Sequence, residues 1–514
     1  MSDVVESGTV EHGAVDPGGA DVLSRAERMT DRLNPILLKE VRQAMRGRYF
    51  KISFWITLTI ATLVGLGVLL VFIVEGEQDV IGQAFFVAMF ACLVLAAQVF
   101  VPFSSFLSMG GEWDENTWDL LVLSNLRPRQ IVLGKVLSSF VQALLYYCTF
   151  GPFLVFAFLL RGIDLAALLV ALALSMILSF LLSCFSVAMS SFSRGRFARV
   201  VLMVLLTAIL VGASFGTVGF AAQLMFRPGQ LYDSETQQVI AAFLSIFTAV
   251  AAFFFAATCA RLAHPEENRS TGLRLTSLAI VACGLAWATF IMGRRPDDDP
   301  ILILTCLAIA FLAVTSIFYS TEPERLGRRV IATLPRRSSL AWLATPLLPG
   351  GARGLLFFLV AGLLVTGWTF IYPLLADPSF SFRNGQAWIP FVLLVYGFVY
   401  LGLPSGIFSR GADHMGIRIL ARVSVLVLFV ATILLPSLIG FLLGIDSLES
   451  FEHAGNVFLV VDHLFSHDLD ELGQATLVTV VFLGVLGLNA PRLIGQAREL
   501  QRALASRAKG TDAS

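Results

Sequence analysis

Charge is what this 514-residue sequence lacks. Asp, Glu, Lys and Arg make up 14% of it and cancel to zero net charge, where soluble domains carry about 25%. Hydrophobic residues reach 57%, against a usual share of roughly 45–50%. That balance excludes an intrinsically disordered chain, a nucleic-acid-binding surface and an ordinary soluble enzyme. Cysteine is scarce too. All six (Cys92, Cys148, Cys184, Cys259, Cys283, Cys306) lie within apolar stretches and none in a polar connection. A disulfide framework or zinc site needs cysteines clustered at a surface, so these read as packing residues. No G-x-x-x-x-G-K-[ST] loop is present to cradle a nucleotide, and no nucleophile–base pair or carboxylate pair stands out. The chain is therefore expected not to be an enzyme and to need no cofactor.

The charges that are present divide the chain. Between them lie twelve charge-free runs of at least 19 residues: 52–74, 80–111, 136–160, 165–193, 200–226, 236–260, 275–293, 300–321, 354–376, 384–409, 423–445 and 472–491. A helix needs about 20 apolar residues to cross the hydrocarbon core, and a central charge costs roughly 2.5–3.5 kcal/mol on insertion scales. The pattern predicts an all-α, polytopic helical membrane protein with about twelve transmembrane helices. If each run crosses once, alternate connections share a side. One side then holds 31 of the 36 Lys and Arg, including the N-terminal segment through Lys51 and the C-terminal 491–514. The other side holds only Arg161, Arg227, Arg294, Arg295 and Arg383. Acidic residues split almost evenly, 19 and 17. Because positive charge stays in the cytoplasm, both termini are expected there, in a bacterial inner (plasma) membrane. Residues 1–30 are polar and acidic, lack the basic and apolar regions of a signal peptide, and read as a disordered cytosolic tail. Residues 495–514 read as a second cytosolic tail.

Two cytoplasmic segments carry more information. The first, over 31–51, contains NPILLKEVRQAMRGRYFK. Asn34 is a good N-cap and Pro35 a good first helical residue. Leu37, Leu38, Val41, Met45 and Tyr49 recur at helical spacing, opposite Lys39, Glu40, Arg42, Gln43 and Arg46. Such a helix before a span lies in the membrane interface, with Leu37, Val41 and Met45 towards acyl chains and Lys39, Arg42 and Arg46 near lipid phosphates. A basic anchor that merely sets orientation explains the charges equally well. The second segment, 109–135, opens with Glu112, Asp114, Glu115 and Asp119 on an otherwise basic side. An apolar patch (Trp118, Leu120, Leu121, Leu123), a turn at Ser124–Asn125 and a helix starting at Pro128 follow. Acids at a helix start are also favoured by the helix dipole.

That second segment resembles the cytoplasmic coupling region of the type-2 ABC transporter permease family. The matching residues are Glu112, Glu115, Thr117, Leu120, Leu121, Leu123, Arg129, Gln130, Gly134 and Lys135, and the amphipathic helix before the first span resembles the family's elbow helix. Asn116 stands where the family usually has Gly, and Trp113 and Asp114 replace the basic residue between the acids. The resemblance covers roughly the first half, a six-span domain over 52–262. It implies a separate ABC ATPase subunit, docked on an interface that includes Glu112, Asp114, Glu115, Thr117, Trp118, Leu121, Arg127 and Arg129. It also implies export of a substrate, with a homodimer or a second permease subunit completing the assembly.

A second six-span region, 263–494, is harder to place. Its loop STEPERLGRRVIATLPRRSSLAW again puts acids first (Glu322, Glu324) and then a basic Pro turn (Leu334, Pro335, Arg336, Arg337). A degenerate internal repeat accounts for this, and so does the ordinary composition of a cytoplasmic loop. Within the spans, Gln98 and Gln142 are the clearest amides, and Gly151–Pro152 is expected to kink the third. Such groups are either interhelical glue or part of a substrate path. Ionisable residues are absent at depth, which argues against a proton-coupled carrier. Ser-rich SMILSFLLSCFS reads as a packing surface. The external loop 445–474 holds His463 and His467 at i,i+4 among acids, a weak metal-binding pattern, and no metal site is assigned. A carrier or channel without ATPase and a non-transporting scaffold remain the competing classes.

Overall fold

Each charge-free run forms the body of a helix in the computed structural model, which describes residues 35–75, 81–114, 128–160, 162–192, 195–227, 229–264, 267–293, 296–324, 326–332, 334, 338–380, 382, 386–409, 414–443 and 471–511. Among these residues there is no strand. The reason is local: an apolar run without charges satisfies its backbone N–H and C=O groups within itself only as a helix. Among the described residues, twelve helices of 20 to 32 residues are long and apolar enough to cross a membrane, by length and composition. At 1.5 Å per residue the shortest is about 30 Å long, the thickness of a hydrocarbon core. This is the architecture of a polytopic helical membrane protein.

The chain forms two compact units, Met1–Leu231 and Tyr232–Ser514. The sequence pattern puts its division near residue 262, after six runs; the compact units divide 31 residues earlier, so the sixth long helix, Ser234–Leu262, belongs with the second.

In the first unit, α1 (Pro35–Arg46) precedes α2 (Arg48–Glu75), separated by a bend at Gly47. The second span comprises α3 (Ile81–Leu95), a π-helical turn (Ala96–Phe100) and α4 (Val101–Asp114). Then come α5 (Pro128–Leu159), α6 (Leu165–Phe192) and α7 (Arg196–Phe226). Pro152 sits inside α5 without ending it. The core gathers Phe86, Met89, Phe90 and Leu93 of α3 with Tyr146 and Phe150 of α5, and with small residues such as Ala167 and Ala171 of α6. Outward-facing Trp55 and Leu63 on α2 are 66% and 64% exposed, as lipid-facing positions are.

The π turn has a cause in the sequence. Pro102 has no N–H, so the carbonyls that would pair with it, Gln98 O in an α register and Ala97 O in a π register, need other donors. The helix widens so that Val101 N bonds Ala96 O, and Ser179 Oγ on α6 donates to Ala97 O at 2.5 Å. Ser175, Ser179, Ser183, Ser186 and Ser190 line the buried face of α6 at helical spacing. Ser190 Oγ likewise donates to Phe106 O at 2.7 Å. The Ser-rich run is a packing surface that also supplies donors to the broken helix.

The second unit runs through α8 (Ser234–Leu262), α9 (Thr271–Met292), α10 (Asp298–Tyr319), two short helices α11 (Arg328–Ala332) and α12 (Ser338–Leu343), α13 (Gly351–Ala376), α14 (Ile389–Ile407), α15 (Met415–Leu443) and α16 (Glu471–Thr511). Its core centres on Tyr319, Phe357, Phe358, Leu394, Phe398 and Val485. Gly354 lets α13 come so close to the end of α10 that a Cβ there would collide with the Tyr319 backbone.

Candidate functional site

The two segments singled out in the sequence meet in the structure. α1 packs against the start of α5, and the contact face is not the one the amphipathic pattern implies. Ile36 and Glu40 are both buried at 6% exposure, while Lys39, Arg42, Met45 and Arg46 are exposed and Leu37 and Val41 half-buried. Glu40, read as part of the polar outer face, therefore turns inward. Its partner is Lys135, 3% exposed, whose Nζ donates to Glu40 Oε1 at 3.0 Å. Ser108 Oγ on α4 donates to Glu40 Oε2 at 3.0 Å, and Lys135 Nζ reaches Ser108 Oγ at 3.3 Å. One carboxylate thus ties α1, α4 and α5 together. Two charges buried without each other would each cost several kcal/mol, so the pair fixes the register of these three helices.

Beneath this pair lies a cavity of about 310 Å³, bounded by α1, α4 and α5 and the start of α2. Its inner wall is hydroxyl and amide: Ser105 and Ser139 meet at 2.5 Å, and Ser104 Oγ donates to Gln142 Oε1 at 3.2 Å. Gln43, Tyr49 and Leu107, all exposed, form its rim. Tyr146 and Ser53, hydrogen-bonded at 3.0 Å, brace α5 against α2 just beyond it.

Further along the same unit, Gln98 is fully buried. Its Nε2 donates to Ser175 O at 3.3 Å and its Oε1 accepts from Thr217 Oγ1 at 3.0 Å. Tyr147 and Ser175 share a hydrogen bond of 2.8 Å. Gln98 thus joins three helices as interhelical glue, whereas Gln142 faces the cavity as well as Ser104.

Of the proposed coupling interface, Arg129 is exposed on the first turn of α5, and Glu112 and Asp114 fall within the last turn of α4. Glu115, Thr117, Trp118, Leu121 and Arg127 lie outside the described residues, as do Asn34, His463 and His467. The helix starting at Pro128 is present.

In the second unit, Glu322 and Glu324, the acids that open the 320–342 loop, are held internally. Arg274, 0% exposed, donates to Glu322 Oε2 at 2.7 Å and to the carbonyls of Pro346 (2.9 Å) and Leu348 (2.5 Å). Glu322 also accepts from Ser270 Oγ at 2.7 Å and from Gly350 N at 3.1 Å. Arg492 Nε donates to Glu324 Oε1 at 2.5 Å. Arg353, 1% exposed, donates to Gln496 O at 3.1 Å and pairs with Glu499 at 3.4 Å. These pairs fasten the 320–350 connection to α9, α13 and α16. Nothing in the linear sequence marked Arg274 and Arg353 as buried; each sits within four residues of a helix start, where a cation normally reads as a loop charge.

Among the described residues no group of three or more His, Cys, Asp or Glu is placed to hold a metal ion. The six cysteines are unbridged. Fold and site together define a polytopic, all-helical protein with a polar cavity at one end of its first unit. No protein-family model, curated protein or solved structure matches the chain.

Proposed function

We propose that the chain is the membrane-spanning permease subunit of a type-2 ABC transporter, coupling ATP hydrolysis by a separate ATPase subunit to export. In this reading it resides in the bacterial inner membrane with both termini in the cytoplasm, where 31 of its 36 basic residues then lie. The observation that carries the reading is the junction of the two motifs behind the resemblance. The helix before the first span and the helix emerging from 109–135 are locked together through Glu40 and Lys135. A force applied by an ATPase to that connection has a rigid path into α1, α4 and α5, because the link is an ion pair flanked by hydroxyls and not a flexible loop. Exposed Lys39, Arg42 and Arg46 on α1 are positioned for lipid phosphates, with Met45 beside them. A homodimer or a second permease subunit would complete the transporter.

The test is to ask whether a neighbouring gene encodes an ATPase with Walker motifs, to co-express it with this chain, and to follow purification with ATP-dependent transport in proteoliposomes. The reading expects co-purification, and expects Glu115→Lys to abolish it while the chain still folds. Assembly that survives the charge reversal, or transport driven by an ion gradient without ATP, rejects it.

A further inference from the structure

We propose that Arg418 anchors the phosphate of an anionic phospholipid, of the phosphatidylglycerol class, at the basic end of the second unit. Three half-buried guanidinium groups gather there: Arg269 just before α9, and Arg418 and Arg422 one turn apart on α15. The carboxylates among them are already committed. Glu322 is held by Arg274, Ser270 and Gly350 N, and Glu324 by Arg492. Arg269 donates to the carbonyls of Ala263 and His264. Arg422 donates Nε to Thr321 Oγ1 at 3.0 Å and lies 5.0 Å from the Phe318 ring centre. These partners are neutral and leave both charges in place. The Arg418 Nε is buried without an acceptor. Burial, and after it the Arg418 charge, hold the Arg269 guanidinium below its ordinary range; Glu267 and Glu322 offset this in part. Cations buried without counter-ions are costly, and a phosphate brings both the missing charge and acceptors that match a guanidinium fork.

Arg418 lines a cleft between the ends of α10 and α14, the start of α15 and Arg492 of α16. The hydroxyls in its wall donate to carbonyls three or four residues back, as Ser320, Thr321, Ser405 and Ser409 all do, so the donors for a ligand are guanidinium N–H groups. The enclosed volume is about 10 Å³, room for a single oxygen. One phosphate oxygen enters and the rest of the headgroup stays at the mouth. A soluble phosphate would answer the charge equally well, but the neighbouring surface suits acyl chains. Arg418 and Arg422 are the last charges before the run 423–445. At about 100° per residue, Ile419, Val423, Leu426 and Val430 lie about 40–100° round the helix from Arg422. All four are 47–56% exposed, and they form an apolar stripe leading from the arginines into the span. Phosphatidylethanolamine and phosphatidylcholine carry a cation that the unpaired arginines repel, so an anionic headgroup is favoured.

The inference rests on the membrane-spanning part of the proposed function and not on the ATPase. The full chain, stripped of lipid in mild detergent, is titrated with dioleoyl phosphatidylglycerol, phosphatidylethanolamine or phosphatidylcholine, and retained lipid is counted by native mass spectrometry. Phosphatidylglycerol is expected to bind roughly tenfold more tightly than the other two, the weight of one charge-assisted hydrogen bond. Arg418→Gln removes the anchor, and Ile419→Glu sets a carboxylate beside it; each is expected to abolish the preference. Arg196→Gln, at an exposed cation on the first turn of α7, should leave it unchanged. Equal retention of the three lipids, undiminished preference in either α15 variant, or the same loss in Arg196→Gln overturns the site. Melting supplies a second readout. The stripped Arg418→Gln chain should melt no lower than the parent, because Arg269 loses a repelling neighbour, and phosphatidylglycerol should raise only the parent. A variant that melts lower marks Arg418 as a structural brace and overturns the reading. Inorganic phosphate that protects the parent as well as the lipid does overturns the lipid as ligand. Flotation with liposomes separates the levels: a chain that floats but does not discriminate refutes this site alone, and one that does not float refutes the membrane reading with it.

Discussion

Removing Glu40 tests the join between the two motifs directly. At 3.0 Å and an effective dielectric of about 20, the attraction between unit charges is about 5–6 kcal/mol. Each ion loses several kcal/mol of hydration on burial, so the pair as a whole adds little net stability. The asymmetry is what matters. In Glu40→Leu the buried Lys135 ammonium loses the carboxylate it donates to while Ser108 stays beside it, and removing one member of a buried pair costs about 3–5 kcal/mol. At about 2–4 °C per kcal/mol for a unit of this size, the melting temperature of the detergent-solubilised chain should fall by about 6–20 °C. The double variant Glu40→Leu/Lys135→Met removes both charges and should recover most of that loss, since apolar replacement of a buried pair is often neutral or stabilising by about 1–4 kcal/mol. The coupling energy from this cycle is therefore large. A Glu40→Leu variant that melts with the parent, or a double variant that loses the sum of the two single effects, refutes the buried pair. Transport measured on the double variant separates stability from transmission: the link proposed above predicts a stable chain with slowed ATP-driven export.

Three further outcomes follow from the packing. Ser179→Ala should destabilise by about 1–3 kcal/mol, because Ala97 O loses the donor that Pro102 cannot supply; Ser183→Ala, whose hydroxyl only returns to Ser179 O in its own helix, should cost clearly less in the same unfolding assay. Arg274→Met should cost about 3–5 kcal/mol by stranding Glu322, and limited proteolysis should then cut the 326–350 connection faster than in the parent. Gly354→Ala should be the more damaging of two glycine changes in α13, because its methyl meets the Tyr319 backbone, whereas at Gly362 the first atom met is the movable end of Leu394. Expression and melting temperature rank the two, and equal tolerance would contradict the close approach of α10 and α13.

The helices were legible because a membrane span is a one-dimensional property: a run such as 165–193 needs only the absence of charge. The side chains that join helices were not, because they depend on pairs far apart in the chain. Glu40 lies at the edge of the polar face on a helical wheel, about 100° from Lys39, and reads as one more exposed charge; its partner is Lys135, 95 positions away. Arg274 and Arg353 counted as loop cations for the same reason, and Glu322 as a loop acid. The π turn had a readable cause, since Pro102 lies well inside the run 80–111, but the donor that relieves it, Ser179, belongs to another span. The compact units do not follow the count of spans: the sixth helix packs beside α9, a pairing that hydropathy does not specify.

The charge rule assigns connections to alternate sides from composition alone, and the hydrogen bonds supply a check that uses none of it. If the runs did not alternate, polar contacts near helix ends would join connections assigned to opposite sides. Within the first unit, Glu40, Ser108 and Lys135 meet at one end, and Arg199 reaches Gly110 O at 3.4 Å at that same end. Gln83 at the start of α3 donates to Gly162 O, beyond α5, at the other. Within the second unit, Arg274, Glu322, Arg353 and Glu499 come from connections all assigned to the basic side. Tyr372 OH bonds Gly293 O from two assigned to the opposite side. Each bond joins segments of like parity. Up-and-down alternation therefore has support inside each unit independent of the positive-charge count, and the count is needed only to say which face is cytoplasmic. That division of labour narrows what a topology experiment has to decide. A single accessible cysteine, at position 129 on the expected cytoplasmic face or at 162 on the other, orients the whole first unit.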